Sequence, residues 1–337
     1  MRVAVLGLGF MGATHVRALG EIPGAELRAV YDGDEKKLAG DLSGTGGNLA
    51  LSTEPVDLSR VHRHRQIEAL LADDSIEAVD ICLPTWLHDG VAVEALRAGK
   101  HVLVEKPMAL DGYGADRMLA AARRSQRVLM AAQVLRFSPA YVALRQAVRQ
   151  RQYGRALAAT FRRRCAAPGW SEWFGDPELS GGGVFDLLIH DVDMALDLFG
   201  KPQTVSAAGR VNREAAVDLM QAQLFYEDGT VVSISGGWHH AGAYPFSAEY
   251  SVVLEGGAIE YSSAGRAPTL YAGDSEEVLE LSGGDGYRAE IEYFLECCRT
   301  GQAPERCPPE ASANAVRLML LLEEARRREG AKLVCRL

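Results

Sequence analysis

Arg2-Val3-Ala4-Val5-Leu6-Gly7-Leu8-Gly9-Phe10-Met11-Gly12 is the stretch whose reading decides the fold. A short apolar run rich in valine runs into GxGxxG, and a helical pattern follows from Ala13 to Leu19. The glycine motif alone is weak; a strand before it and a helix after it give it meaning. Gly7 suits the tight turn, Gly9 lets the backbone approach a pyrophosphate, and Gly12 lets helix and strand pack closely. Phe10 and Met11 stand in the same first turn, where free N–H groups and the positive end of the helix dipole face an anion. A second strand, Glu26 to Tyr31, ends at Asp32, twenty residues past Gly12. A dinucleotide fold places its ribose-binding carboxylate there. The competing reading is a doubly wound domain without nucleotide, its glycines serving packing only. Asp32 would repel a 2′-phosphate, which favours NAD over NADP, although Lys36 and Lys37 stand close behind.

The totals bound the rest. At 337 residues the chain is long for one core, so two domains are expected. A net charge of −9 argues against nucleic acid as a partner. The six cysteines show no CxxC, no zinc spacing and no disulfide framework, so a reducing cytoplasm is the expected setting. No apolar run approaches a membrane span. No HxxxH, HExxH or carboxylate-rich loop appears, and no metal is expected. His239 and His240 are adjacent on a strand and should point opposite ways.

Strands at 78–83, 101–104 and 128–132 alternate with helical patterns, which gives a parallel doubly wound sheet. Ligands bind such sheets at the carboxyl ends of the strands. Pro84, Thr85, His88, Glu105 and Lys106 all stand at such ends. His88 is either a contact to the nicotinamide end or a helix-start histidine satisfied by backbone. By position alone Lys106 is either a solvated charge or a catalytic one. Residues 40–65 are irregular, and Arg60-Val61-His62-Arg63-His64-Arg65 reads as a solvated basic insertion, with contact to a phosphate-bearing ligand as the lesser alternative.

The second half opens with a helix at 139–152 and a strand at 156–164 carrying Arg162, Arg163 and Arg164. Residues 166–183 read as a long loop with Trp170 and Trp173, either lying over a ligand or plugging the domain surface. The tryptophan faces suit a sugar's C–H surface, and the arginines suit hydroxyls or a carboxylate. Gly181-Gly182-Gly183 then breaks into an apolar helix carrying Asp186, His190 and Asp193, which share one face. Burying such groups is costly unless they are paired or used. Alternating segments at 203–210, 216–226, 231–238, 248–255 and 258–261 predict an α+β domain with a mostly antiparallel sheet.

These motifs, in this order, resemble the glucose–fructose oxidoreductase / inositol dehydrogenase / MocA (Gfo/Idh/MocA) family over nearly the whole chain. They are Gly7-Leu8-Gly9-Phe10-Met11-Gly12, Pro84-Thr85-x-x-His88, Glu105-Lys106-Pro107, and Asp186-x-x-x-His190-x-x-Asp193. The resemblance implies an α/β protein: a Rossmann domain over 1–126, a substrate-binding α+β domain with an open sheet over 127–308, and a C-terminal helix over 309–337 packing back toward the Rossmann domain. It implies a homodimer or homotetramer through that sheet. It matches Lys106, Asp186 and His190 to catalytic positions, Asp193 to a ligand of a substrate hydroxyl, and Arg136 to a hinge segment facing the substrate. The longer 40–65 region departs from the family pattern.

The implied activity is hydride transfer between a sugar or polyol carbinol and nicotinamide. His190 would serve as general base, Lys106 would stabilise alkoxide charge, and Asp186 would orient the imidazole or a neighbouring hydroxyl. Two other classes stay open. One is a sugar-modifying enzyme that uses bound NAD transiently, and the other is a non-catalytic dinucleotide and sugar sensor.

Overall fold

The computed structural model describes residues 1–42, 45–47, 56–169, 171–214 and 217–337. They form two compact units, one of residues 1–134 with 285–313, the other of residues 135–284 with 314–337.

The first unit carries six parallel strands: β1 (Arg2–Leu6), β2 (Glu26–Tyr31), β3 (His62–His64), β4 (Ala78–Ile81), β5 (His101–Glu105) and β6 (Leu129–Ala132). Their order is β3-β2-β1-β4-β5-β6, the doubly wound arrangement the alternation predicts. The helices are α1 (Phe10–Gly20), α2 (Glu35–Leu38), α3 (Ile67–Leu71), α4 (His88–Arg97) and α5 (Gly112–Ser125). Strands β4 and β6 are buried along their whole length, as strands covered on both faces must be, and so read as continuous apolar runs.

Two expectations need adjustment here. A break after 126 falls before β6, which pairs with β5 and completes the sheet, so this unit runs to Val134. The basic segment 60–65 is not a plain insertion. His62–His64 adds to β2 as an edge strand, Ala29 opposite His62 and Tyr31 opposite His64. Backbone pairing makes an edge strand, and polar side chains on it discourage further pairing, so apolar alternation is not required.

The second unit holds α6 (Pro139–Gln150), α7 (Pro177–Ser180) and α8 (Gly183–Phe199). Its strands are β7 (Ala156–Ala166), β8 (Thr204–Asn212), β9 (Val217–Phe225), β10 (Val231–His240), β11 (Ser247–Leu254), β12 (Gly257–Ser262), β13 (Arg266–Ala272), β14 (Ser275–Val278) and β15 (Leu333–Val334). They form one nine-stranded sheet, β14-β13-β12-β11-β7-β10-β9-β8-β15. Every pairing is antiparallel except β7 with β10.

Two further helices close the chain. α9 (Gly286–Thr300) belongs to the first unit and packs on α1, and α10 (Pro309–Arg327) begins in the first unit and continues into the second. The expected third segment, 309–337, is thus not a separate body. Among the described residues no helix is long and apolar enough to cross a membrane.

Candidate active site

In the first unit the glycine loop has the shape its spacing requires. Gly7 has φ +91°, and a Cβ there would lie 2.6 Å from the Cys82 carbonyl oxygen. A Cβ on Gly12 would lie 1.8 Å from the Gly7 carbonyl oxygen, so this crossing of loop and helix admits only glycine. A Cβ on Gly9, by contrast, would meet nothing within 4 Å. Gly9 caps α1 without a side-chain hydrogen bond, and the first turn carries no acidic residue. The first-turn N–H groups of Phe10 and Met11 are therefore open to an anion.

Asp32 stands beside this loop. Its Oδ2 accepts the Leu8 N–H at 2.6 Å and its Oδ1 accepts the Asp34 N–H at 2.8 Å. A carboxylate oxygen has two lone pairs, so each oxygen keeps acceptor capacity for a ribose hydroxyl. Lys37 Nζ is 3.8 Å from Oδ2. An open, uncapped helix start and a carboxylate with acceptors to spare fit a dinucleotide.

The other strand ends behave differently. Thr85 is buried beside Pro84. His88 is buried, and its ring is taken by backbone: Nδ1 lies 2.8 Å from the Pro107 carbonyl oxygen and Nε2 2.7 Å from that of Leu83. Burial pushes its pKa down while the two carbonyls push it up. The imidazole therefore ties the ends of β4 and β5 together, and a side-chain contact to cofactor is not supported. Glu105 also turns inward. Its Oε2 accepts the Lys106 N–H at 3.0 Å and its Oε1 lies 3.2 Å from His15 Nε2. Glu105 braces the corner that carries Lys106, and its side chain is not placed as a direct cofactor ligand. Lys106 is half-buried, and the peptide bond to Pro107 is cis.

In the second unit α8 lies against β7, β9 and β10. A Cβ on Gly183 would lie 2.5 Å from the Trp238 ring, so only glycine permits this approach. The first turn is held from outside the helix: Asp218 Oδ2 accepts the Val184 N–H at 3.0 Å. Between Gly183 and Ala195 every residue is buried except Asp186 and His190. Four residues apart, these two make the helix's one accessible stripe over that span.

Asp193 shares that face but not the exposure. Arg136 grips it with both arms of its guanidinium, Nε to Oδ2 at 2.7 Å and Nη2 to Oδ1 at 2.8 Å, and both residues are buried. Arg136 also reaches Asp197 at 3.2 Å, and Arg145 and Arg149 close on the same carboxylate. Arg136 and Asp193, expected as substrate ligands, here engage each other in an internal ion pair, as a buried carboxylate needs a partner nearby. Arg163 is likewise committed: Nε and Nη2 bind Asp191 at 2.8 and 2.9 Å, and Nη2 also donates to the Tyr141 hydroxyl at 3.1 Å. Strand alternation turns it inward while Arg162 and Arg164 face outward to Glu249.

The 166–183 segment is more ordered than a long loop. It holds a 3-10 turn at Glu172–Gly175 and then α7. Trp173 stacks on Phe174 at 4.0 Å, and Phe174 meets Trp238 edge-on at 5.8 Å. Trp170 lies outside the described residues. His239 and His240 do not diverge: their rings are 4.0 Å apart, where the β7–β10 register shifts between Trp238 and His240. Such an irregularity breaks strict alternation. Sequence reasoning also missed that His62 and His64, two apart on β3, flank Asp73 at 3.5 and 4.0 Å. Their i, i+2 spacing was the available signal.

Comparison with known proteins follows this division. Residues 1–133 match the model of the oxidoreductase family with an NAD-binding Rossmann fold, and residues 141–260 match the GFO/IDH/MocA C-terminal domain. Inositol 2-dehydrogenase 2 of Saccharopolyspora erythraea is 30% identical over 315 residues, 90% of this chain and 86% of that protein. An NADP-dependent D-xylose 1-dehydrogenase of Haloferax volcanii is 28% identical over 96% of this chain and 97% of its own. Among solved structures, the aldose–aldose oxidoreductase of Caulobacter crescentus superposes with a TM-score of 0.85 over 99% of both chains at 21% identity, a likeness of fold.

Proposed function

The chain belongs to the GFO/IDH/MocA oxidoreductase family, and from that premise we propose that it transfers a hydride between a secondary alcohol of a sugar or polyol and nicotinamide, with NAD preferred to NADP. The observation that carries the reading is the accessible Asp186–His190 pair on a helix otherwise buried over its first thirteen residues. Bound nicotinamide supplies the hydride acceptor or donor; the protein positions and polarises. The first-turn N–H groups of α1 would hold the pyrophosphate, and Asp32 the ribose hydroxyls.

His190 takes the hydroxyl proton in the oxidation direction, a task suited to an imidazole, whose ordinary pKa lies near working pH. Asp186, one turn earlier, orients that ring or a neighbouring hydroxyl. The Lys106 ammonium donates to the reacting oxygen and stabilises its developing negative charge. In reduction the proton moves are reversed. The six reduced cysteines accord with a cytoplasmic setting. A homodimer or homotetramer through the open sheet completes the reading, and light scattering of the purified chain tests it.

The deciding experiment offers polyols, aldoses, glycosides and keto-sugars with NAD or NADP and follows absorbance of the reduced nicotinamide. Net accumulation of NADH supports the reading; product formation without it would favour transient redox. Cofactor binding with no turnover of any sugar would favour a sensor. Lys106→Ala is expected to keep cofactor affinity and lose roughly 100-fold or more in kcat. Unchanged turnover would refute the role given to Lys106.

A further inference from the structure

Beneath the glycine loop, α1, β4, β5 and α9 bring together ionisable side chains that no step above uses. His15 of α1 is fully buried. Its Nδ1 lies 2.8 Å from Asp80 Oδ2, and its Nε2 lies 3.2 Å from Glu105 Oε1 without the alignment of a hydrogen bond. The imidazole is thus flanked on both nitrogens by carboxylates, one at the end of each neighbouring strand. A neutral ring has one N–H to offer, whereas the cation has one for each side. Burial is the largest influence and opposes that cation, but Asp80 and Cys82, whose sulfur lies 3.5 Å from Nδ1, together hold the His15 pKa well above its ordinary value.

Further ionisable groups are buried around it. Glu290 of α9 is fully buried, and neither of its carboxylate oxygens has a hydrogen-bond partner among the described residues. Burial drives its pKa well up against the opposing pull of His15, with Glu105, Asp80 and Asp285 adding to the rise. Burial and Asp80 likewise keep Cys82 a thiol, and burial keeps the Tyr287 phenol protonated. Asp80 and Glu105 stand on either side of the His15 ring. Glu105 joins that ring to the corner that carries Lys106. One of its oxygens faces His15, and the other accepts the backbone N–H of Lys106 at 3.0 Å.

We propose that His15 is a positioning residue for Lys106: as a buried cation between Asp80 and Glu105, it fixes the carboxylate that holds the Lys106 backbone, and so the direction in which the lysine leaves β5. The inference rests on the role given to Lys106 above. A glutamine at position 15 could satisfy Asp80 but would bring no charge to hold Glu105.

The full chain has six lysines, few enough for each to be followed by NMR after reductive methylation with carbon-13. The Lys106 signal is assigned by its loss in Lys106→Arg. In His15→Gln it is expected to move, while kcat on the best substrate of the sugar panel falls roughly tenfold and the substrate KM stays within about twofold. A Lys106 signal unmoved in folded His15→Gln overturns the proposal. A moved signal with unchanged turnover upholds the positioning and instead removes Lys106 from the reaction. Should His15→Gln not fold, nitrogen-15 NMR of the wild-type imidazoles decides. Protonation of both His15 nitrogens above about pH 7 is expected, where a free imidazole is mostly neutral, and a neutral ring overturns the proposal.

Discussion

Asp32 does two things at once, and they separate under substitution. It accepts two backbone N–H groups and so shapes the loop, and under the proposed function it also binds the ribose hydroxyls. Asp32→Ala should raise the NAD KM by about ten- to 100-fold, the range of a lost hydrogen bond to a charged group. The NADP KM should rise less, because the same change removes a charge that repels the 2′-phosphate and frees Lys37 beside it. Steady-state kinetics with both cofactors reads the ratio, and an unchanged NAD to NADP preference would remove Asp32 from cofactor choice. Residue identity told much here, because the glycine motif and its carboxylate act through local backbone geometry that spacing fixes. It told less for Arg136, Arg163 and Asp193. Their roles depend on partners 57, 28 and 57 positions away, a distance at which a single sequence carries no pairing signal. Arg136→Met leaves Asp193 buried and uncompensated, so urea unfolding should show a loss of about 3–5 kcal/mol. Arg136→Met with Asp193→Leu should recover much of it. Recovery of stability in the double variant would mark the pair as internal, whereas a substrate pair would show its loss chiefly in KM.

At the scale of elements, α8 is the part on which the proposed reaction depends, and its start is held by more than its own sequence. Asp218 of β9 accepts the Val184 N–H with one oxygen and the Arg326 guanidinium, at 2.5 Å, with the other. Gly183 meets the Trp238 ring. A methyl group there must displace that ring or shift the helix start, three residues before Asp186. Gly183→Ala is therefore expected to cost about 1–3 kcal/mol of stability, the usual range for overpacking, and to lower kcat more than it raises KM. Thermal melting and kinetics on one preparation check both, and full activity with a normal melting temperature would show that the contact yields freely. The helix itself was legible from its glycine start and its apolar run. The reach of its accessible face was not: the i, i+4 and i, i+3 rules say which side chains share a face, not where a neighbouring arginine closes it. Strands β3 and β14 escaped for a related reason. β14 is exposed at all four positions, and β3 is histidine and arginine, so neither shows the alternation by which half-buried strands are recognised.

For the molecule as a whole, the buried carboxyls set an unusual pH response. Most shifted carboxylates, such as Asp73, held down to about 2 by its bonds from Ser75, stabilise the fold above the acid range. Glu323 and Glu290 act in the opposite sense. Burial raises Glu323 to about 7, against partial relief from Arg326, and burial also raises Glu290 well above its ordinary 4.5. The folded chain keeps a proton on each that the unfolded chain has already released above about pH 4.5. Over that window the native state binds more protons than the unfolded state, so unfolding free energy falls as pH rises. The contribution of Glu323 is complete below pH 4.5 and is lost as pH rises through about 7. Its amplitude is on the order of 2 kcal/mol, each pKa unit being worth about 1.4 kcal/mol before solvent screening. Glu323→Gln carries no titrating proton, so its stability profile should be flatter between about pH 5 and 8. Urea midpoints of wild type and variant across that range make the comparison. Parallel curves would show that Glu323 is ionised in the native protein, with Arg326, 3.7 Å away, supplying enough charge to hold it so.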